Sequence, residues 1–354
     1  MASYQDYLGT GPVAQAHRFD ALALEAYLRD HVEGFQGALR VEQFKGGQSN
    51  PTYKLSAGGK SYVMRRKPAG KLLPSAHAVD REYRLISALA STEVPVARTY
   101  CLCTDEAVIG TMFYVMDYVD GRVLWDPQLP GMGRAERGAI FEEMNRVIAA
   151  LHRVDYQALG LADYGKPGNY FARQIDRWSK QYRASETEKI EAMDRLIEWL
   201  PRNIPSGDAT TIVHGDYRLD NMIFHPTEPR VRAVLDWELS TLGHPLADFS
   251  YHAMAWRLSS GEFRGLRGCD LEAMGIPTER DYLDTYLSRT GMPAPQAKDW
   301  DFCMAYNMFR AAAIFQGVMA RAVAGNAASA QAVDTGKRAR PMAELGWKQV
   351  ERLL

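Results

Sequence analysis

The feature that most constrains this chain is a polar loop held between two short apolar runs. Val213 leads into His214-Gly215-Asp216-Tyr217-Arg218-Leu219-Asp220-Asn221, and Met222-Ile223-Phe224 leaves it. A further apolar run, Val234-Leu235, ends on Asp236-Trp237-Glu238. Short apolar runs bounded by polar residues read as buried strands. The fold must therefore present a loop and a strand end that carry two carboxylates, Asp216 and Asp236, and one amide, Asn221.

A chain of 354 residues is long enough for two domains or two lobes with a core each. Hydrophobic residues at 46% and charged residues at 24% describe an ordinary globular chain, and a net charge of −1 excludes the basic field of a nucleic-acid binder. The most apolar stretch, 303–323, carries Arg310 and Arg321, so no membrane span is expected. The first residues lack the basic, apolar, small-residue order of a secretion signal. Cys101, Cys103, Cys269 and Cys303 form neither a disulfide framework nor a zinc-ligand pattern, which predicts a cytoplasmic, reducing setting.

Taken in order, the pattern begins with a helix over 20–31, with Asp20 as its cap. Strands follow over 39–44, 52–55 and 61–65, the last two joined by the hairpin signal Ala57-Gly58-Gly59-Lys60. The turn Lys45-Gly46-Gly47-Gln48-Ser49-Asn50-Pro51 could lay backbone N–H groups of Gly46, Gly47 and Ser49 on phosphates, or serve only as a hairpin turn. The third strand ends on Arg65, Arg66 and Lys67. A helix over 76–89 has the stripe Val79, Tyr83, Ile86 and Leu89, with Glu82 beside it either as a solvated residue or as the partner of a strand cation. Strands over 99–102 and 112–116 run into Asp117-Tyr118-Val119, a plain loop or an extended segment whose backbone could meet a purine edge. Beyond residue 121 helical periods dominate, over 134–154, 171–182, 190–200, 243–257, 282–288 and 299–321. His152 reads as a packed or capping residue. The sum is an α+β fold: residues 1–117 form an antiparallel sheet with one main helix, and 118–354 a larger, mostly helical part.

Phosphoryl transfer fits the three oxygen side chains, because it needs an aimed hydroxyl, neutralised phosphate oxygens and a positioned nucleotide rather than covalent work by the protein. Asp216 suits orienting a hydroxyl and taking its proton. Asn221 and Asp236 suit Mg2+, which takes hard oxygen ligands. His214 reads as a residue that holds the loop in shape.

His214-Gly215-Asp216 through Asn221, with Leu235-Asp236-Trp237-Glu238, resembles the aminoglycoside phosphotransferase and choline kinase superfamily, over nearly the whole chain. Three stretches, 46–53, 62–65 and 170–182, are similar to the branch of that superfamily associated with acyl-CoA dehydrogenases. The resemblance implies a protein-kinase-like two-lobe fold, ATP and Mg2+ as cofactors, and a hydroxylated small molecule as acceptor. It also implies a functional link to an acyl-CoA dehydrogenase. By position it makes Asp216 the catalytic residue, and Asn221 and Asp236 the metal ligands. Glu82 becomes the helix glutamate, the backbones of Asp117 and Val119 the adenine hinge, and Asp248 a brace of the catalytic loop. The phosphate-holding cation is usually Lys in this family; here Arg65, Arg66 and Lys67 stand at or just after its place.

Arg173, Arg177 and Lys180 share one helix face, which is either solvated or turned to an anionic acceptor such as a hydroxy acid or a hydroxyacyl-CoA. A polycationic aminoglycoside would call for acidic residues there instead. A catalytically degenerate nucleotide-binding or scaffold protein is the alternative from another class. A metal hydrolase lacks a second histidine at ligand spacing, and a protein kinase lacks an activation segment after Asp236.

Overall fold

The computed structural model of the chain describes residues 9–45, 50–68, 77–325 and 331–354. It divides into two compact units, Met1–Trp125 with Asp220–Leu239, and Asp126–Leu219 with Ser240–Leu354. The boundary expected after residue 117 therefore falls at Trp125, and 220–239 goes to the first unit. The reason is strand pairing, since the strand at Met222–Phe224 pairs with the one at Arg122–Val123.

The first unit opens with β1 (Thr10–Gly11) and α1 (Ala21–His31). Asp20 caps α1, its Oδ1 accepting hydrogen bonds from the N–H groups of Leu22 at 2.9 Å and Ala23 at 3.1 Å. Then come β2 (Arg40–Phe44), β3 (Thr52–Ala57), β4 (Lys60–Arg66), α2 (Val79–Leu89), β5 (Thr99–Cys103), β6 (Phe113–Asp117) and β7 (Arg122–Val123). Six of these strands make one antiparallel sheet in the order β1-β2-β3-β4-β6-β5. Gly58 and Gly59, both at positive φ, turn β3 into β4.

Alternation along the strands sorts the side chains onto two faces. Tyr53 and Leu55 of β3, and Tyr62 and Met64 of β4, are buried in one core with Leu24 and Leu28 of α1. Thr52, Lys54, Val63 and Arg65 take the opposite face and line a cavity.

The second unit begins with α3 (Arg134–His152), α4 (Tyr170–Ala184), α5 (Glu191–Trp199) and β8 (Thr211–Val213). The chain then contributes β9 (Met222–Phe224) and β10 (Val231–Val234) to the first unit. There β9 pairs with β10 on one side and β7 on the other, with Arg122 opposite Phe224. The chain returns through β11 (Thr241–Gly243), paired antiparallel with β8, and α6 (Pro245–Ala253). The short α7 (Ser260–Phe263) and α8 (Leu271–Met274) follow, then α9 (Glu279–Thr290), α10 (Ala297–Val323), α11 (Ala332–Gly336) and α12 (Ala339–Glu351). From Phe302 to Ala313 every residue of α10 is buried, Arg310 included. A helix apolar on all sides is a core helix, and α10 packs against α4, α6, α11 and α12. Among the described residues no helix is long and apolar enough to cross a membrane.

Candidate active site

The cavity in the first unit has a volume of about 570 Å3, within the range of small-molecule sites. Strand alternation decides which cation enters it. Arg65 lines the cavity; Arg66 points the other way, 3% exposed, over the rings of Phe19 and Tyr53. Glu82 of α2 is 2% exposed, so it is no solvated helix residue. Its Oε2 pairs with Arg65 Nε at 3.0 Å and accepts the Tyr114 hydroxyl at 3.1 Å, while Oε1 accepts Asn50 Nδ2 at 2.9 Å. The carboxylate is thus met by donors on both oxygens, as burial of a charge requires.

Burial pushes the pKa of Glu82 up, helped by the negative charge of Asp236 and opposed by Arg65. Burial works against the charge on Arg65, but Glu82, Tyr114 and Asp236 outweigh it and hold its pKa above the usual value. Arg65 Nη2 also lies 3.6 Å from Asp236 Oδ1. The guanidinium therefore stands between two carboxylates.

Asn221 and Asp236 are brought side by side by one backbone hydrogen bond, from Leu235 N–H to the Asn221 carbonyl at 2.8 Å. Both line the cavity. Asp236 takes a φ of 64°, a left-handed conformation rare for a residue with a Cβ. Trp237, 2% exposed, fixes the next step of the chain by donating its Nε1–H to the Val234 carbonyl at 3.0 Å. An amide oxygen beside a carboxylate fits Mg2+, which completes its shell with water and phosphate oxygens. Among the described residues no group of three or more His, Cys, Asp or Glu could form an all-protein cage.

The segment after β6 also lines the cavity. Asp117 spends its N–H on the Arg98 carbonyl at 2.8 Å, and its carboxylate accepts the Tyr100 hydroxyl. Tyr118 stacks on Phe44, with Lys54 Nζ 4.3 Å from its ring centre. The N–H of Val119 makes no hydrogen bond among the described residues, although the residue is half-buried at the cavity wall.

In the second unit the loop after β8 hangs from one carboxylate. Asp248 of α6, 3% exposed, accepts the His214 N–H at 2.7 Å, the Gly215 N–H at 2.8 Å and His152 Nε2 at 3.2 Å. Burial alone would raise the pKa of Asp248, but the hydrogen bond and charge of His152 and the proximity of His214 hold it below the usual range. Gly215 has a φ of 83°, which only glycine takes without strain. His214 is fully buried, its Nδ1 accepting the Asp216 N–H at 3.1 Å. Asp216 Oδ1 accepts the Tyr251 hydroxyl at 2.7 Å and lies 3.3 Å from Arg218 Nε. Burial, and then the charge of Asp216, push the Tyr251 hydroxyl's pKa up, so it stays a donor. Arg310 of α10 donates to the Gly215 carbonyl at 2.5 Å.

Of the residues singled out in the sequence, Arg65, Glu82, Asp117, Val119, Asn221 and Asp236 border one cavity, and Asp216, His214 and Asp248 form one bonded cluster. Gly46, Gly47 and Ser49 lie outside the described residues. On α4, Arg173 is half-buried and donates to the Lys166 carbonyl, Arg177 is exposed over the Trp178 ring, and Lys180 is paired with Asp176 at 2.8 Å. Sequence reasoning missed Asn50, Tyr251 and Arg310. Tyr251 had a usable signal, three residues after Asp248 on the same helix. So had Arg310, a lone charge inside the most apolar run.

The profile of the phosphotransferase enzyme family matches residues 40–296. Acyl-CoA dehydrogenase family member 10 of Mus musculus is 47% identical over 341 residues, which are 96% of this chain and 32% of that protein. Acyl-CoA dehydrogenase family member 11 of Homo sapiens is 40% identical over 96% of this chain and 44% of its own length. The chain thus spans 32% and 44% of the length of these two curated relatives. A crystal structure from Ralstonia eutropha, provisionally described as an aminoglycoside phosphotransferase, is 62% identical, with a TM-score of 0.88 over 95% of this chain and 99% of that one. An aminoglycoside phosphotransferase solved in a ternary complex with AMP-PNP and hygromycin B has a TM-score of 0.59 at 16% identity, a likeness of fold alone. The α+β, kinase-like fold expected from the sequence is the one found.

Proposed function

Because the chain belongs to the phosphotransferase enzyme family, we propose that it is an ATP-dependent small-molecule kinase. It transfers the γ-phosphoryl group to a hydroxyl of an anionic metabolite, a hydroxy acid or a hydroxyacyl-CoA. The observation that carries the proposal is the cavity walled by Arg65, Glu82, Asn221 and Asp236. It offers a cation for phosphates and two hard oxygen ligands, beside a backbone segment with an unspent N–H at Val119.

In this reading the Val119 N–H donates to the adenine edge, and Arg65, aimed by Glu82, holds the α- and β-phosphates. Asn221 and Asp236 hold Mg2+, which supplies charge neutralisation at the phosphate oxygens. Asp216 orients the acceptor hydroxyl and takes its proton as the new P–O bond forms and the bond to the ADP oxygen breaks. Tyr251 steadies the Asp216 carboxylate by donating its hydroxyl to Oδ1 at 2.7 Å. Asp248 and His214 keep the loop in the conformation that presents it. Of the basic residues on α4, Arg173 and Arg177 are the ones assigned to the acceptor, since Lys180 already has Asp176.

The relatives' names support a place beside acyl-CoA dehydrogenation, with this chain as their phosphotransferase part. The test is ATP turnover with Mg2+ over a panel of hydroxy acids, hydroxyacyl-CoA thioesters and aminoglycosides, with product read by phosphorus NMR. Turnover on the acids or thioesters that vanishes in Asp216→Ala is expected. Tight ATP binding with no Asp216-dependent product on any acceptor would favour the scaffold alternative.

A further inference from the structure

Arg310 is the cation that the family reading leaves without a task. It lies in the buried run of α10, 5% exposed, yet among the described residues it makes no ion pair. Buried arginines normally sit against a carboxylate, because an unmatched charge out of water is costly. A guanidinium has five N–H donors. One bond to a protein acceptor is present, from Nη2 to the Gly215 carbonyl at 2.5 Å. None of its other nitrogens is both sealed from solvent and unpartnered, so the spare donors remain reachable.

Its surroundings are those of a receptor for a planar anion. The guanidinium carbon lies 5.0 Å from the Tyr251 ring centre and 5.5 Å from that of Trp178. The aromatic rings hold the cation's position without consuming its N–H edge. Tyr251 ties this arrangement to the reaction centre through its 2.7 Å hydrogen bond to Asp216, whose side chain keeps 18% of its surface open. Asp216 also contributes, at longer range, to the charge stabilisation of Arg310. Arg177, exposed on α4, lies 5.4 Å from the ring centre of the same Trp178, so a second cation stands by the same indole. An arginine fork matches a carboxylate in geometry as well as charge.

We propose that Arg310, framed by Tyr251 and Trp178, is the subsite that binds the carboxylate of a hydroxy-acid acceptor and so selects free acids over their uncharged derivatives. This rests on the reading of Asp216 as the residue that receives the acceptor hydroxyl.

The experiment compares 2-, 3- and 4-hydroxypentanoate with their primary amides and CoA thioesters, on the wild type, Arg310→Met and Arg310→Lys. Two readouts are taken: kcat/KM for phosphorylation, and the shift in unfolding temperature caused by each compound without ATP. The expected result is a preference for acid over amide that falls roughly 10- to 100-fold in Arg310→Met, the range for losing a charged hydrogen bond. Arg310→Lys should keep part of it, and the acid-induced thermal shift should disappear in Arg310→Met while any amide shift stays. Equal loss on acid and amide would make Arg310 only a prop for Gly215 and overturn the proposal. No loss, or a wild type that prefers thioesters and ignores the free acid in both readouts, would overturn it too. Should Arg310→Met fail to fold, Arg310→Gln replaces it in the same comparison. If no acceptor is phosphorylated yet acid binding depends on Arg310, the kinase reading fails and this subsite stands.

Discussion

Replacing Glu82 by Gln tests the central claim about the cavity, since the side chain keeps its shape and loses its charge. Arg65 is then left 13% exposed with Asp236 as its nearest remaining carboxylate, at 3.6 Å instead of the 3.0 Å of the Glu82 pair. Breaking one partner of a buried pair costs ~3–5 kcal/mol. At an effective dielectric near 20 the attraction across 3.6 Å is ~4.6 kcal/mol, against ~5.5 kcal/mol across 3.0 Å. Asp236 already attracts Arg65 in the wild type, so it offsets part of the loss only by moving closer, at the expense of its availability to a cation. A net destabilisation of about 2–4 kcal/mol follows, which is roughly 5–15 °C in unfolding temperature for a unit of this size. The KM for ATP should rise at least 10-fold, because the guanidinium now leans on Asp236, the carboxylate proposed for Mg2+. A double-mutant cycle with Arg65→Met isolates the pair: the double variant should be less destabilised than the sum of the singles, by about 1–3 kcal/mol. Calorimetry with and without ATP and Mg2+ reads both effects. Additive single variants, together with an unchanged KM for ATP in Glu82→Gln, would refute the reasoning.

Three further outcomes are expected. Tyr251→Phe removes one hydrogen bond to the charged Asp216 and should lower kcat roughly 10- to 100-fold while leaving the KM for ATP within about twofold. Asp248→Asn places an amide N–H group against a loop that offers two N–H donors. It should cut kcat by about 100-fold, and circular dichroism should show the protein still folded. Burial pushes the pKa of His252 down to about 4 from a usual 6.5, only slightly offset by Asp248, and His244 is likewise pushed down to about 4. The unfolded chain takes up these protons below 6.5 and the folded chain does not until about 4, so stability falls as pH drops through that window. Each histidine contributes up to about 1.4 kcal/mol per pH unit to the slope. His252→Phe should flatten the slope measured by urea unfolding between pH 6.5 and 4, and an unchanged slope would contradict the assignment.

Much of this was legible in the residues. The period-2 alternation of Ser61–Arg66 already placed Arg65 and Arg66 on opposite faces. It did not say which face was the core; that needed α1, whose Leu24 and Leu28 share one core with Tyr62 and Met64. The burial of Glu82 was readable only as one of two options, because one glutamate beside an apolar stripe looks alike whether a partner strand faces it or water does. The hydrogen bond of Leu235 to Asn221 and the left-handed backbone at Asp236 are tertiary facts with no local signature. The basic stripe of α4 showed in the residues, but not that Arg177 lies over the Trp178 ring that Arg310 also faces, or that Asp176 compensates Lys180. Arg310 was visible only as an obstacle to a membrane span. Its meaning depends on Trp178 and Tyr251, which arrive from two other helices.

The pairing of β7 with β9 also sets a schedule. Arg122 donates to the His225 carbonyl across a separation of 103 residues, so the first unit cannot close when its first 125 residues have been made. At ordinary synthesis rates of about 5–20 residues per second, the β7 edge waits roughly 5–20 s for its partner strand. In that interval Arg122 and Val123 offer unpaired backbone beside the wall that will carry Asn221 and Asp236. Asn221 and Asp236 are therefore among the last parts of the first unit to come into being, and a chain halted before β9 would hold a sheet, a cation and a glutamate without the wall that completes the cavity.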